Sequence, residues 1–345
     1  MGCSMFKNIN NWPIEHWHIE SCSKCSLKCP RCTRQEVPEG LTNKELTLDW
    51  FKENFTGKLL QQVKKLTFCG DDGDPIYTKD LLKILAWFRK NNKNVQFVIV
   101  TNGSYKTKAW WQELDTILNE KDHIHFSLDG WDQESNNIYR VNCNWQSIML
   151  GIEVLKNTTA YKTWAAIAFK FNENKILDMQ QMAKALQFDN FQLTLSTKFG
   201  KNYASYPAND PLQPSDQYIA TGRFTRKSIA LSDKKWQDNC VDIFTKRFTA
   251  EETEHKSIIP LCMIGNKGLY INAEGNFYPC CWTALRYQHN KNIFNYIDLN
   301  KTLPEVLDNP MWQKLFADLV FGEGPKECFE KCSAKKWSVE HATSW

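Results

Sequence analysis

No apolar run in this sequence approaches the roughly 18 residues that a membrane span needs, so no membrane partner is expected. The first residues, Met1-Gly-Cys-Ser-Met-Phe-Lys-Asn, lack the basic-then-apolar order of a secretory leader. Gly2 would suit a myristoyl group, but Phe6 stands where that motif wants Ser or Thr. A dense Lys/Arg block is also missing. The 43 basic residues nearly balance 39 acidic ones, leaving a net charge of +4, and nucleic-acid binding is not indicated. Nor is there the short, evenly numbered cysteine framework of a secreted domain. The 13 cysteines are odd in number and gather near positions 22–32, 262–281 and 328–332. Grouped thiols of this kind point to metal in a reducing compartment, and the expected location is cytoplasmic.

What is present is a chain of 345 residues, 42% of them hydrophobic, long enough for one large domain or two ordinary ones. Its densest chemistry is Cys22-Ser-Lys-Cys25-Ser-Leu-Lys-Cys29-Pro-Arg-Cys32, where Cys25, Cys29 and Cys32 read as C-x3-C-x2-C just after an expected strand. Three thiolates so spaced can hold three irons of a [4Fe-4S] cube and leave the fourth iron open for reaction. Two other readings stand beside it: a structural zinc site, though the second C-x2-C knuckle is absent nearby, and a closed cluster with Cys22 as fourth ligand. The spacing resembles the signature of the radical S-adenosylmethionine (radical SAM) enzymes, in which a small polar residue usually stands where Cys22 is.

Along the chain, strand and helix patterns alternate. Strands are expected at 16–20, 65–69, 95–100, 123–128, 163–169 and 191–195, with helical spacing at 46–55, 78–88, 109–118, 145–155 and around 176–186. Six strand–helix steps in about 180 residues imply a parallel sheet with right-handed crossovers. Chemistry in such sheets collects at the carboxyl ends of strands. The cysteines, Gly70–Pro75, Thr101–Gly103 and Ser127–Gly130 all fall there. The resemblance implies an α/β fold: a partial (β/α)6 TIM-like barrel followed by a small α+β iron–sulfur domain. Expected boundaries are a tail at 1–12, the barrel at 13–199, a connector or lid at 200–256 and an auxiliary-cluster domain at 257–345.

Gly70-Asp-Asp-Gly-Asp-Pro75 resembles the family's Gly-Gly-Glu-Pro turn, which implies that Gly73 and Asp74 face the methionine amino group of SAM. An ordinary β-turn would use the same residues. Ser127 and Asp129 share a strand face and resemble the polar residues that contact SAM in relatives, with Asn102 a lesser candidate. Arg140 would place a cation near the SAM carboxylate. His18 and His125 alternate with apolar neighbours and read as inward-facing barrel filling. Arg31 departs from the family, which often has an aromatic residue before the last cysteine of the loop.

Cys262 to Cys280 spans C-x12-G-x4-C, with a natural hairpin turn at Ala273-Glu-Gly275, and Cys328 and Cys332 follow. This layout resembles the SPASM extension of radical SAM enzymes, or its shorter twitch form. A C-x2-C-x5-C segment of the full SPASM pattern is missing, which implies one auxiliary [4Fe-4S] cluster on Cys262, Cys280, Cys328 and Cys332, with Cys281 as alternate. A four-cysteine zinc ribbon stays open.

The resemblance implies a [4Fe-4S] cluster with one open iron that binds SAM, and formation of a 5′-deoxyadenosyl radical that takes a hydrogen atom from substrate. An electron donor such as flavodoxin or ferredoxin follows from it. The auxiliary cluster would then permit a net oxidation. The expected substrate is a small polar metabolite, sugar or nucleotide. A peptide side chain is the alternative, and a non-enzymatic zinc or iron–sulfur scaffold a second one.

Overall fold

The computed structural model describes residues 14–196, 198–199, 209–219, 225–231, 269–284 and 302–308, with single positions at 310, 314, 315, 318, 324 and 328. The chain divides into two compact units, one of Met1–Cys25, Val37–Val98 and Thr253–Trp345, the other of Ser26–Glu36 and Ile99–Glu252.

In the first unit the strands lie in the order β9-β8-β1-β2-β3. They are β1 (His16–Ile19), β2 (Lys65–Phe68), β3 (Gln96–Thr101, divided between the units), β8 (Leu269–Ile271) and β9 (Phe277–Tyr278). β1 runs parallel to β2, pairing His16 with Lys65 and Ile19 with Phe68, and parallel to β8, pairing Trp17 with Leu269. Alternation along β1 buries Trp17 and Ile19 and leaves His16 and His18 half-buried on the other face. Trp17 meets the helices through Phe55, with ring centroids 5.3 Å apart edge to face. Phe51 and Phe55 of the segment at α2 (Leu48–Asn54) pack on Phe88 of α4 (Leu81–Asn91) at 5.8 and 5.3 Å. Aromatic pairs at such distances add to area burial. Thr47 starts α2, its hydroxyl accepting the Trp50 N–H.

The expected hairpin forms as β8 and β9, antiparallel, with Tyr270 opposite Tyr278. It is fastened to α2: Phe277 stacks on Trp50 at 6.0 Å. Gly275 has φ +85°, and a Cβ there would sit 2.8 Å from the Trp50 Nε1. The turn thus needs glycine for its dihedral and for the tryptophan beside it.

In the second unit β4 (His123–Ser127), β5 (Tyr161–Ile167) and β6 (Asn190–Leu195) are parallel and β7 (Thr225–Ala230) forms the edge, in the order β3-β4-β5-β6-β7. Helices α5 (Lys108–Ile117), α6 (Gln133–Tyr139), α7 (Trp145–Val154) and α8 (Ile176–Ala185) alternate with them. Side-chain oxygens of Thr107, Asp132 and Asn144 cap the first three. Buried Trp111 fits only because α7 carries Gly151, where a Cβ would come within 2.5 Å of the indole.

Two features depart from the sequence reading. Strand β7 (Thr225–Ala230) pairs antiparallel with β6, inside a stretch expected to lack structure. Its one large apolar residue, Ile229, is buried, so an edge strand this polar gives no alternation signal. Residues Gly57–Gln62 (α3) and α6 are helical where none was expected, being short and polar or opened by glycine. Among the described residues no helix is long and apolar enough to cross a membrane.

Candidate active site

In the first unit the cysteine loop leaves β1 and meets the glycine turn. The Asp74 N–H donates to the Lys24 carbonyl at 2.9 Å, and the Cys22 thiol donates to the Asp74 carbonyl at 3.2 Å. Cys22 is therefore spent on the turn; burial raises its pKa. A Cβ on Gly73 would lie 1.9 Å from the Cys22 carbonyl oxygen and 2.9 Å from the Lys24 nitrogen, so glycine alone lets the two backbones touch. The Asp74 carboxylate accepts the Ile76 N–H at 3.2 Å, capping the short turn Pro75–Tyr77.

Glu20, which the sequence reading passed over, holds the turn from within. Its Oε1 accepts the N–H groups of Asp72 and Gly73 at 2.6 and 2.8 Å, and its Oε2 accepts the Tyr270 hydroxyl at 2.6 Å. Burial, then the charge of Asp72, lift its pKa to about 7 against the pull of these donors. A carboxylate ending an apolar strand was the available signal.

In the second unit the segment after α6 closes on the rest of the cysteine loop. The Lys28 N–H donates to the Val141 carbonyl at 2.9 Å, and the Asn142 amide donates to the Ser26 carbonyl at 2.8 Å. Cys29 and Cys32 are joined by a turn, Cys32 N–H to Cys29 carbonyl, 3.0 Å. Burial pushes the Cys29 thiol up to about 11, against the attraction of the Arg140 guanidinium beside it. Arg140 donates from Nε to Asp129 Oδ2 at 2.6 Å, and Asp129 Oδ1 accepts the Ile167 N–H at 2.7 Å. Asp129 is fully buried, so its role here is to hold Arg140 and the end of β5. The paired carboxylate raises the Arg140 pKa, keeping it charged. Asn102, also buried, turns its carbonyl onto the Ser104 N–H at 2.9 Å, and Ser127 is half-buried at the end of β4.

Arg31 is the departure with the clearest structural use. It forms a buried ion pair with Asp210 and lies over the Phe199 ring at 5.5 Å. Lys198 donates to the Arg31 carbonyl at 2.7 Å and pairs with Glu36 at 2.9 Å.

Of the second cysteine set, Cys280, Cys281 and Cys328 are described, and Cys262 and Cys332 lie outside the described residues. Cys281 and Cys328 are buried and Cys280 half-buried. Among the described residues no three His, Cys, Asp or Glu side chains are gathered as a metal-holding group. Cys25 belongs to one unit and Cys29 and Cys32 to the other, and two of the four later cysteines expected as ligands lie outside the described residues. The donor chemistry nevertheless fits: soft thiols, none in a disulfide among the described residues, suit iron–sulfur clusters.

Residues 262–334 match the family model SPASM, an iron–sulfur cluster-binding domain. SuiB of Streptococcus suis bound to S-adenosylmethionine has a similar structure, with 13% identity and a TM-score of 0.52 over 91% of this chain and 77% of SuiB. The protein has the fold of the radical SAM enzymes, with a SPASM region. SuiB bound to its precursor peptide SuiA matches at 14% identity and a TM-score of 0.56, covering 96% of this chain and 76% of SuiB. The anSMEcpe structure with bound AdoMet and the Kp18Cys peptide matches at 15% and 0.53, covering 92% of this chain and 87% of that one. No curated protein matches the sequence. The partial-barrel expectation is borne out by these likenesses, which at such identities concern the fold.

Proposed function

We propose that the protein is a radical SAM enzyme that modifies a side chain of a peptide. The observation that carries the reading is the C-x3-C-x2-C loop directly after β1 of a fold whose solved relatives hold S-adenosylmethionine and peptides. The peptide reading now stands ahead of the small polar metabolite that the sequence favoured. When bound, a [4Fe-4S] cluster on Cys25, Cys29 and Cys32 and the SAM beside it supply a carbon radical able to take hydrogen from an unactivated C–H bond.

The chain's own residues place and protect that chemistry. Gly70 and Gly73 bring turn backbone close to where the methionine amino group would lie. Asp129 keeps Arg140 charged and oriented for the SAM carboxylate. Asn102 and Ser127 remain candidate contacts at neighbouring strand ends. The SPASM region would carry one auxiliary cluster on Cys262, Cys280, Cys328 and Cys332, fed from a donor such as flavodoxin or ferredoxin.

A metabolite substrate draws support from one feature. In the second unit His125, Thr163 and Asn190 stand in register across β4–β6, and Asn190 donates to the Thr163 hydroxyl at 3.4 Å. A polar row of this kind suits sugar or nucleotide hydroxyls as well as peptide amides.

The test is anaerobic. Reconstituted protein should hold iron and sulfide at about eight each per chain, and reduction with SAM should release 5′-deoxyadenosine. Cys29→Ala should abolish the release and Cys22→Ala retain it. Zinc in place of iron, or no 5′-deoxyadenosine, would refute the reading. Mass spectrometry of cell peptides and metabolites against Cys29→Ala then decides the substrate class.

A further inference from the structure

Glu20 is buried, yet each of its oxygens is engaged, and its partners come from two directions. One side is the backbone of the glycine turn. The other is Tyr270, itself buried, on β8 within the SPASM-matching stretch, 250 residues away in sequence. The fit is tight: a Cβ on Gly70 would fall 2.6 Å from Glu20 Oε1. His18 completes the packing, its ring edge-on to Tyr270 at 4.9 Å and its Nε2 3.1 Å from the Cys69 carbonyl oxygen. The Glu20 N–H also donates to the Ile271 carbonyl at 2.8 Å, so the carboxylate and its backbone are both tied to β8.

We propose that Tyr270 and Glu20 form a positioning latch through which the SPASM strand sets the conformation of the SAM-binding turn. The role rests on the reading that Gly70–Pro75 receives SAM. Without the tyrosine hydroxyl, Oε2 is left without its donor, the carboxylate swings, and the Asp72 and Gly73 amides lose a fixed acceptor. The auxiliary region thereby affects SAM binding through the turn. Neither residue is catalytic; both act through the turn.

The latch is tested on the full chain with Tyr270→Phe, which keeps the ring and removes only the hydroxyl, and with Tyr278→Phe on β9 as control. Amide hydrogen exchange, which reads local opening, should quicken at Asp72 and Gly73 by about tenfold in Tyr270→Phe. It should stay unchanged in the control. In the anaerobically reconstituted enzyme the KM for SAM should rise by about five- to tenfold with kcat for 5′-deoxyadenosine kept. Glu20→Gln, whose amide oxygen still accepts both N–H groups, should exchange like wild type, and Glu20→Ala should exceed Tyr270→Phe. Unchanged exchange in Tyr270→Phe overturns the latch whatever SAM does. Quickened exchange with an unchanged KM overturns its coupling to SAM. Quickened exchange in a protein whose wild type binds no SAM refutes the proposed function and leaves the latch as a structural contact.

Discussion

A buried carboxylate is costly when ionised unless donors surround it, and Glu20 shows which effect wins. Three donors pull its pKa down; burial and Asp72 raise it further, from 4.5 to about 7. A raised acid favours the protonated form in the fold. Its contribution to stability is complete below about pH 4.5 and is lost as pH climbs through 7. Relative to Glu20→Gln, the wild type should therefore lose stability between pH 4.5 and 8, by about 3 kcal/mol on a shift of this size. Urea unfolding of both proteins across that range checks it, and a flat difference between them would show that the three donors hold the ionised form. The sequence shows only a carboxylate at the end of a strand, and nothing local points to the partner that gives it importance. Cysteine spacing is legible because neighbours in sequence carry it; Glu20 matters through a partner at Tyr270.

Among the elements, strand order and helix positions were legible wherever apolar side chains repeat with the right period. α5 and β6 fall within about one residue of expectation. β5 begins and ends two residues before the expected strand, because Tyr161 and Lys162 look like loop while Ala168 and Phe169 prolong the apolar run. The Lys162 ammonium is satisfied by the Leu155 and Lys156 carbonyls, at 3.2 and 2.7 Å, a contact no pattern announces. The loop around Cys32 is held the same way, by an ion pair between distant segments. Arg31 and Asp210 side chains are only 6% and 5% exposed, so removing one partner strands a buried charge. Asp210→Ala should cost about 3–5 kcal/mol, whereas Arg31→Met with Asp210→Leu should cost much less, since a buried pair replaced by apolar groups is often neutral. Chemical denaturation of the three proteins measures this. A small loss in Asp210→Ala with a large one in the double variant would mean that the Arg31 stacking on Phe199, rather than the charge pair, holds the loop.

For the whole molecule, the SPASM region cannot be treated as a detachable appendix. β8 is hydrogen-bonded along β1, Gly275 and Phe277 are seated on Trp50, and the Leu303 N–H donates to the Asn54 side chain at 2.8 Å. Cutting the chain before residue 262 would expose the edge of β1 and remove the Tyr270 hydroxyl from Glu20. Truncation would therefore confuse loss of a cluster with loss of a strand. Substitution at a proposed ligand separates them. Cys328 is buried, and its thiol belongs to the later cysteine set. Cys328→Ala should lower iron from about eight to about four per chain while the remaining reduced cluster still changes its electron paramagnetic resonance spectrum when SAM is added. A zinc site in the SPASM region predicts something else: wild type would begin at about four irons with about one zinc, and the variant would lose the zinc alone. Loss of the SAM-induced spectral change in Cys328→Ala, with folding intact, would mean that the two cysteine sets do not hold separate clusters.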